Sequence, residues 1–207
     1  QHLARPQVLE GKDEPRMNIY SGASGALFMY GDEGPYRRLE DKWVPLFNEI
    51  DADRWKGADA MRQIAGGPLY LGAPERFASW TEDGLVDLRA SMGIVPEDSC
   101  HAIAIQASGA VWFGTHGSGI YVVDQTSYRQ MKRKDGLRSD SISTLMASQD
   151  GSVWAAYRRQ GVGCYRDGYW FNFDVNHGLP NLAIDQLVEM PGGTIWAQME
   201  NGSIYRY

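Results

Sequence analysis

Along this chain, apolar residues alternate with polar ones in runs of four to seven, and turn residues break the runs. Alternation with a period of two is the mark of a half-buried β-strand. No segment keeps a helical period for three turns. In the stretch from Ser141 to Phe173 the pattern predicts four strands: 141–148, 153–156, 163–166 and 169–173. Gln149-Asp150-Gly151 and Asp167-Gly168 separate them as tight turns, because Asp-Gly supplies the positive φ angles that a hairpin needs.

The pattern recurs. Trp112, Trp154 and Trp196 are 42 residues apart, and the same step backwards reaches Tyr70 and Phe28. Gly25, Gly67, Gly109, Gly151 and Gly193 each stand three residues before these aromatics. Leu27, Leu69, Val111, Val153 and Ile195 stand immediately before them. Upstream, Ile19, Met61, Ile103, Leu145 and Leu187 share one register, and Cys100, Ile142 and Ile184 share another. The fourth copy carries two extra residues between Tyr157 and Gly163, which marks a loop. A four-stranded unit of about 40–45 residues, repeated, is the signature of a β-propeller blade.

The expected fold is therefore all-β: a five-bladed β-propeller occupying residues 1–207 as a single domain. The fifth copy ends at Tyr207 after its third strand, and residues 3–9 precede the first copy without belonging to a complete blade. They are expected to supply the missing outer strand, closing the ring and hiding edges that would otherwise invite aggregation. The alternative is a five-blade piece of a larger ring. The chain opens Gln1-His2-Leu3, with neither Met nor a basic-then-apolar leader, so either a leader has been removed or the sequence begins inside a longer protein.

The later copies resemble the two-component-regulator propeller repeat. That pattern runs Gly-Leu, small polar residues, an aliphatic strand, Asp-x-x-Gly-x-hydrophobic-Trp-hydrophobic-Gly-Thr, then Gly-hydrophobic-x-Tyr. Here the fourth copy reads DGLRSDSISTLMASQDGSVWAAY and then GVGCYRDGYWFNF. The fifth reads HGLPNLAIDQLVEMPGGTIWAQM and then NGSIYRY. The third reads GAVWFGTHGSGIYVVD and keeps Gly114-Thr115. The likeness covers roughly residues 93–207. It implies an extracytoplasmic, periplasmic or secreted, sensor-type module of bacterial signalling, often linked to carbohydrate sensing.

Charge and composition narrow the function. The net charge of -6 argues against nucleic acid, since phosphate binding needs a basic surface. No run approaches the length of a transmembrane helix. The two cysteines, Cys100 and Cys164, fall on slots that other copies fill with isoleucine, so they read as small core hydrophobes. There is no phosphate-binding glycine loop, HExxH or paired CxxC, and His2, His101, His116 and His177 lack metal-ligand spacing. No cofactor, metal or catalytic residue is expected.

By analogy with other propellers, the site is expected on the face carrying the loops between blades and those joining second to third strands. No polar residue recurs in those loops, which favours one asymmetric site over five equal ones. The candidate ligand- or partner-binding residues are His116 in the third copy, Tyr157, Arg158 and Arg159 in the fourth, and Asn201 in the fifth. Trp55 joins them as an aromatic outside the repeated register. Paired guanidinium groups suit a carboxylate or another anion. The expected partner is a small molecule, a glycan or a protein. The leading reading is a non-catalytic binding propeller. A lectin-like carbohydrate binder and a carboxylate glycosidase are the alternatives, the latter drawing on Asp32, Asp98, Asp140, Asp185 and Glu200.

Overall fold

The structure is a computed structural model and describes residues 17–22, 25–47, 53–93, 98–124 and 127–207. The strand proposed at residues 3–9 lies outside them. The described strands form five antiparallel sheets, one per sequence copy, arranged as a five-bladed β-propeller. Blade 1 comprises β1 (Met17–Ser21), β2 (Leu27–Gly31), β3 (Tyr36–Leu39) and β4 (Lys42–Pro45). Blade 2 comprises β5 (Ala60–Gln63), β6 (Leu69–Ala73), β7 (Arg76–Thr81) and β8 (Gly84–Asp87). Blade 3 comprises β9 (Cys100–Ile105), β10 (Val111–Thr115), β11 (Ile120–Val123) and β12 (Tyr128–Met131). Blade 4 comprises β13 (Ile142–Ala147), β14 (Val153–Tyr157), β15 (Gly161–Arg166) and β16 (Tyr169–Phe173). Blade 5 shows β17 (Ile184–Glu189), β18 (Ile195–Met199) and β19 (Ile204–Arg206), with Tyr207 still exchanging backbone hydrogen bonds with Ile195. The inner strands β5, β9, β13 and β17 stand side by side around the axis.

The links between blades each hold one short turn of helix: 53–55, α1 (Leu88–Met92), 133–135 and 175–177. The last is capped by Asp174, whose carboxylate accepts from the Asn176 N–H at 2.9 Å and meets His177 Nδ1 at 2.9 Å and Arg138 at 2.6 Å. The His177 contact is the main cause that holds this carboxyl below its usual range, with the Asn176 N–H and Arg138 adding to it. Two links of the chain are thereby tied to one side chain.

Sheet stacking explains the repeated residues. Trp112 is buried between blades 3 and 4, with ring centroids 5.1 Å from Tyr165 and 6.3 Å from Trp170. Trp154 packs on Phe173 and on Tyr207 of blade 5. Phe28 sits in the core shared with blade 2, and Tyr70 leans edge-on against Phe113 of blade 3. Trp196 differs: it is 37% exposed, against 1% for Trp112, because no described blade covers that face of blade 5.

A second repeated contact sets how closely blades approach. Two residues after each aromatic stands Tyr30, Gly72, Gly114, Ala156 or Gln198. A Cβ at Gly114 would lie 2.7 Å from Ile142 Cγ2 of the next blade, and one at Gly72 would overlap Cys100. Where the slot holds the small Ala156, blade 5 presents Ile184 to the same core. Where it holds the large Tyr30, blade 2 presents Ala58. Large meets small at each of these seams, as close packing requires. Both cysteines are buried and free, and burial pushes the Cys100 thiol well above its ordinary value.

The Asp-Gly turn of blade 4 is a local anchor. Asp150 Oδ1 accepts from Ser152 N at 2.9 Å and from Ser152 Oγ at 2.6 Å, and Oδ2 meets Arg166. The Ser152 hydroxyl and N–H are the leading causes that bring the Asp150 carboxyl down to about 2. A carboxyl lowered by folding favours the native state above its unfolded value, roughly 3.9, and loses that contribution as pH falls through the folded value. The melting temperature should therefore drop between about pH 4 and pH 2, and Asp150→Asn should flatten that part of the profile. An unchanged profile in the variant would remove Asp150 from the account.

Candidate functional site

The inner strands of blades 3, 4 and 5 share an irregularity. In β9 the ladder pairs Cys100 with Thr115 and Ala102 with Gly114, so His101 has no cross-strand partner. In β13, Ser143 is skipped between Ile142 and Thr144, and in β17, Asp185 is skipped between Ile184 and Gln186. Each is a β-bulge, a device that re-aims a side chain. Asp59 holds the same repeat position immediately before β5. Asp59, His101, Ser143 and Asp185 thus form an arc across four blades, and all four line one cavity of about 390 Å³.

A second arc stands beside the first. His116, Arg158 and Glu200 occupy one repeat position at the end of the second strand. Each donates its backbone N–H to the link before its own inner strand: His116 to Ser99 at 3.0 Å, Arg158 to Ser141 at 3.3 Å and Glu200 to Ala183 at 2.9 Å. Thr115 braces the His116 loop from below, with its buried Oγ1 donating to the Gly119 carbonyl at 2.9 Å and accepting from the Ser118 N–H. His116 and Arg158 join the cavity wall.

The side chains connect across blades. His101 Nδ1 lies 3.3 Å from Asp59 Oδ2, the His101 and His116 rings meet edge-on at 5.4 Å, and Arg158 Nη1 lies 3.3 Å from His116 Nε2. A guanidinium can only donate, so Nε2 of His116 is the acceptor and its ring proton resides on Nδ1. The Asp59 carboxylate can likewise accept only from a protonated nitrogen, so His101 carries a proton on Nδ1. Below this mouth a smaller space of about 60 Å³ continues along the axis, walled by Tyr30, Arg62, Thr144 and again Asp59 and His101.

Of the residues expected from sequence, His116 and Arg158 meet at this cavity. Arg159 points to the next blade, 3.3 Å from Glu200 Oε2, and sits in the left-handed region at φ 54°. Asn201 closes its own turn, accepting from Ser203 N at 3.0 Å and Ser203 Oγ at 2.6 Å. Tyr157 and Trp55 are buried and offer no face to a ligand. The Tyr157 hydroxyl donates to Asn172 Oδ1 at 2.8 Å above Gly163, and Trp55 packs on Phe47 at 6.1 Å. Both are apolar bulk beside a seam, and burying it outweighs display. Among the carboxylates, Asp185 lines the cavity. Asp98 caps Ser99, Asp140 accepts from the Arg133 N–H, and Glu200 pairs with Arg159. Among the described residues, no three His, Cys, Asp or Glu side chains cluster as a metal site, and no helix is long and apolar enough to cross a membrane.

Comparison with known proteins matches fold rather than sequence. No family profile matches the chain, and no curated protein matches it. Among solved structures, it is similar to an extracellular domain described as that of a hybrid two component system, BT4673, from B. thetaiotaomicron. The identity is 15%, covering 92% of this chain and 26% of that one, with a TM-score of 0.68. It is similar to a catalytically inactive virginiamycin B lyase from Staphylococcus aureus with quinupristin, at 14% identity, 96% and 71% coverage and a TM-score of 0.70. It is also similar to YCF48 bound to a D1 peptide, at 16% identity, 96% and 65% coverage and a TM-score of 0.68. The chain spans about a quarter of that extracellular domain. The architecture is shared with extracellular domains of two-component systems, in agreement with the repeat pattern. The same architecture also carries a lyase, so enzymes and non-enzymes both stand among its neighbours.

Proposed function

We propose that this chain is a non-catalytic binding propeller, a single domain of extracytoplasmic, periplasmic or secreted, sensor type. It takes one anionic group, on a small molecule or on a protein partner, at the mouth of its axis. The observation that carries the reading is Arg158. It lines the cavity with a histidine as its hydrogen-bond partner and with no carboxylate of the described residues paired to it. Neighbouring arginines differ: Arg159, Arg138 and Arg166 each hold a carboxylate. A guanidinium supplies a flat fork of donors that suits a carboxylate in two-point contact. The sensor repeat pattern over residues 93–207 supports the extracytoplasmic placement. The asymmetric wall, with a different residue from each blade, supports one ligand rather than five copies of a sugar site.

The experiment is calorimetric titration with small monocarboxylates, comparing the wild type with Arg158→Gln and Arg159→Gln. A charge-assisted contact contributes about 1.5–3 kcal/mol, so Arg158→Gln should weaken binding by at least about tenfold. Arg159→Gln, whose native partner is Glu200, should change it little. Unaltered affinity in Arg158→Gln would dismiss the reading.

A further inference from the structure

Arg158 and Asp185 line the same cavity from blades 4 and 5, yet no ion pair joins them. Asp185 is placed there by its bulge, and its exposed carboxylate makes no hydrogen bond or ion pair with any described residue. Asp59, the other carboxylate of the wall, is engaged by His101. One cavity thus presents, among the described residues, a cation with no carboxylate paired to it and an anion with no cation paired to it, both open to solvent. We infer that the ligand of this cavity is an aminocarboxylate, a small molecule carrying both a carboxylate and a protonated amine. This rests on the binding role of Arg158 given above.

The carboxylate lies against Arg158, and the ammonium against Asp185. Opposite charges at both ends replace water at both ends, whereas a plain carboxylate leaves Asp185 without a counter-charge and is repelled by Asp59 and Asp185 together. The rings of His101 and His116, set edge to face, line the same cavity and give the carbon skeleton aromatic surface to rest on. A cavity of about 390 Å³ is within the range of small-molecule sites, which suits an amino acid or a short peptide.

The test titrates the folded chain with the twenty L-amino acids, γ-aminobutyrate, aminovalerate and aminocaproate, each beside its counterpart lacking the amine. At least one aminocarboxylate should bind about tenfold or more tightly than its counterpart. Asp185→Asn should bring that ratio close to one, weakening the aminocarboxylate and tightening the plain carboxylate, since one repelling charge is gone. Asp185→Ser, which copies the residue native to the same bulge in blade 4, should do the same. A wild-type ratio near one, with carboxylate binding still dependent on Arg158, would overturn the aminocarboxylate assignment and leave the anion site standing. No binding of any probe would count against both.

Discussion

Trp112→Ala is expected to lower the free energy of unfolding by about 3–5 kcal/mol, the range for deleting a buried aromatic from a core that relaxes only in part. The indole is 1% exposed and is held between two blades by Tyr165 and Trp170, with the Arg129 guanidinium 6.0 Å above its ring. Its Nε1–H donates to Gln106 Oε1 at 2.9 Å, and Gln106 in turn donates to the Gly151 carbonyl of blade 4 at 2.7 Å. Truncation therefore opens a cavity and also leaves the Gln106 acceptor without its donor, which adds to the cost. Trp196→Ala is the comparison, since it removes the same side chain at the same repeat position. With 37% of that residue already in water, its loss should cost less than half as much. Urea denaturation of the two variants decides the matter. Equal costs would mean that the face of blade 5 carrying Trp196, Val188 and Ile204 is covered in solution, and would overturn its assignment to solvent.

The contrast between these tryptophans shows what a repeat can and cannot tell. The period of 42 located the blades, the Asp-Gly hairpin of blade 4 and the core positions, because burial on a sheet imposes a strict alternation that survives in the sequence. Exposure at Trp196 was not legible, since it depends on what lies beyond the face and not on the strand itself. The site was half legible. Arg158 and His116 stood out as polar residues in loops. Asp185 was legible only as one carboxylate of the glycosidase alternative, His101 only as an inner-strand histidine, and Ser143 not at all, because a bulge breaks the alternation at the residue it displaces, and the four arc residues share a place in the repeat without sharing chemistry. A search for one polar type recurring in every blade passes over a position that recurs in geometry and varies in charge. Asp59 could have been found by stepping back from His101 by one repeat. Trp55, outside the repeated register, and Tyr157, beside the two arginines, look like ligand contacts in the sequence because they fall in or beside loops. In the structure their rings are worth more inside a seam than in water.

Gly114→Ala should destabilise the fold by about 1–3 kcal/mol, although the change is a single methyl group in a strand, where alanine is ordinarily no worse than glycine. The strain is between blades. The new Cβ would stand 2.7 Å from Ile142 Cγ2 and 3.1 Å from Leu145 Cδ1, and Ile142 is itself buried with no space to retreat. Ile142→Ala alone should cost about 2–5 kcal/mol by leaving a cavity. The two changes together should cost less than their sum by about 1 kcal/mol or more, because the methyl gained on β10 occupies part of the space lost on β13. The same two repeat positions hold Tyr30 and Ala58 in another seam, within one shared core. A favourable coupling in the double variant would show that blade spacing is set by a pair of residues, one from each sheet, whose volumes trade against each other. Strict additivity would mean that the sheets shift apart to absorb each change separately. The residue two places after the aromatic would then have no say in how closely one blade meets the next.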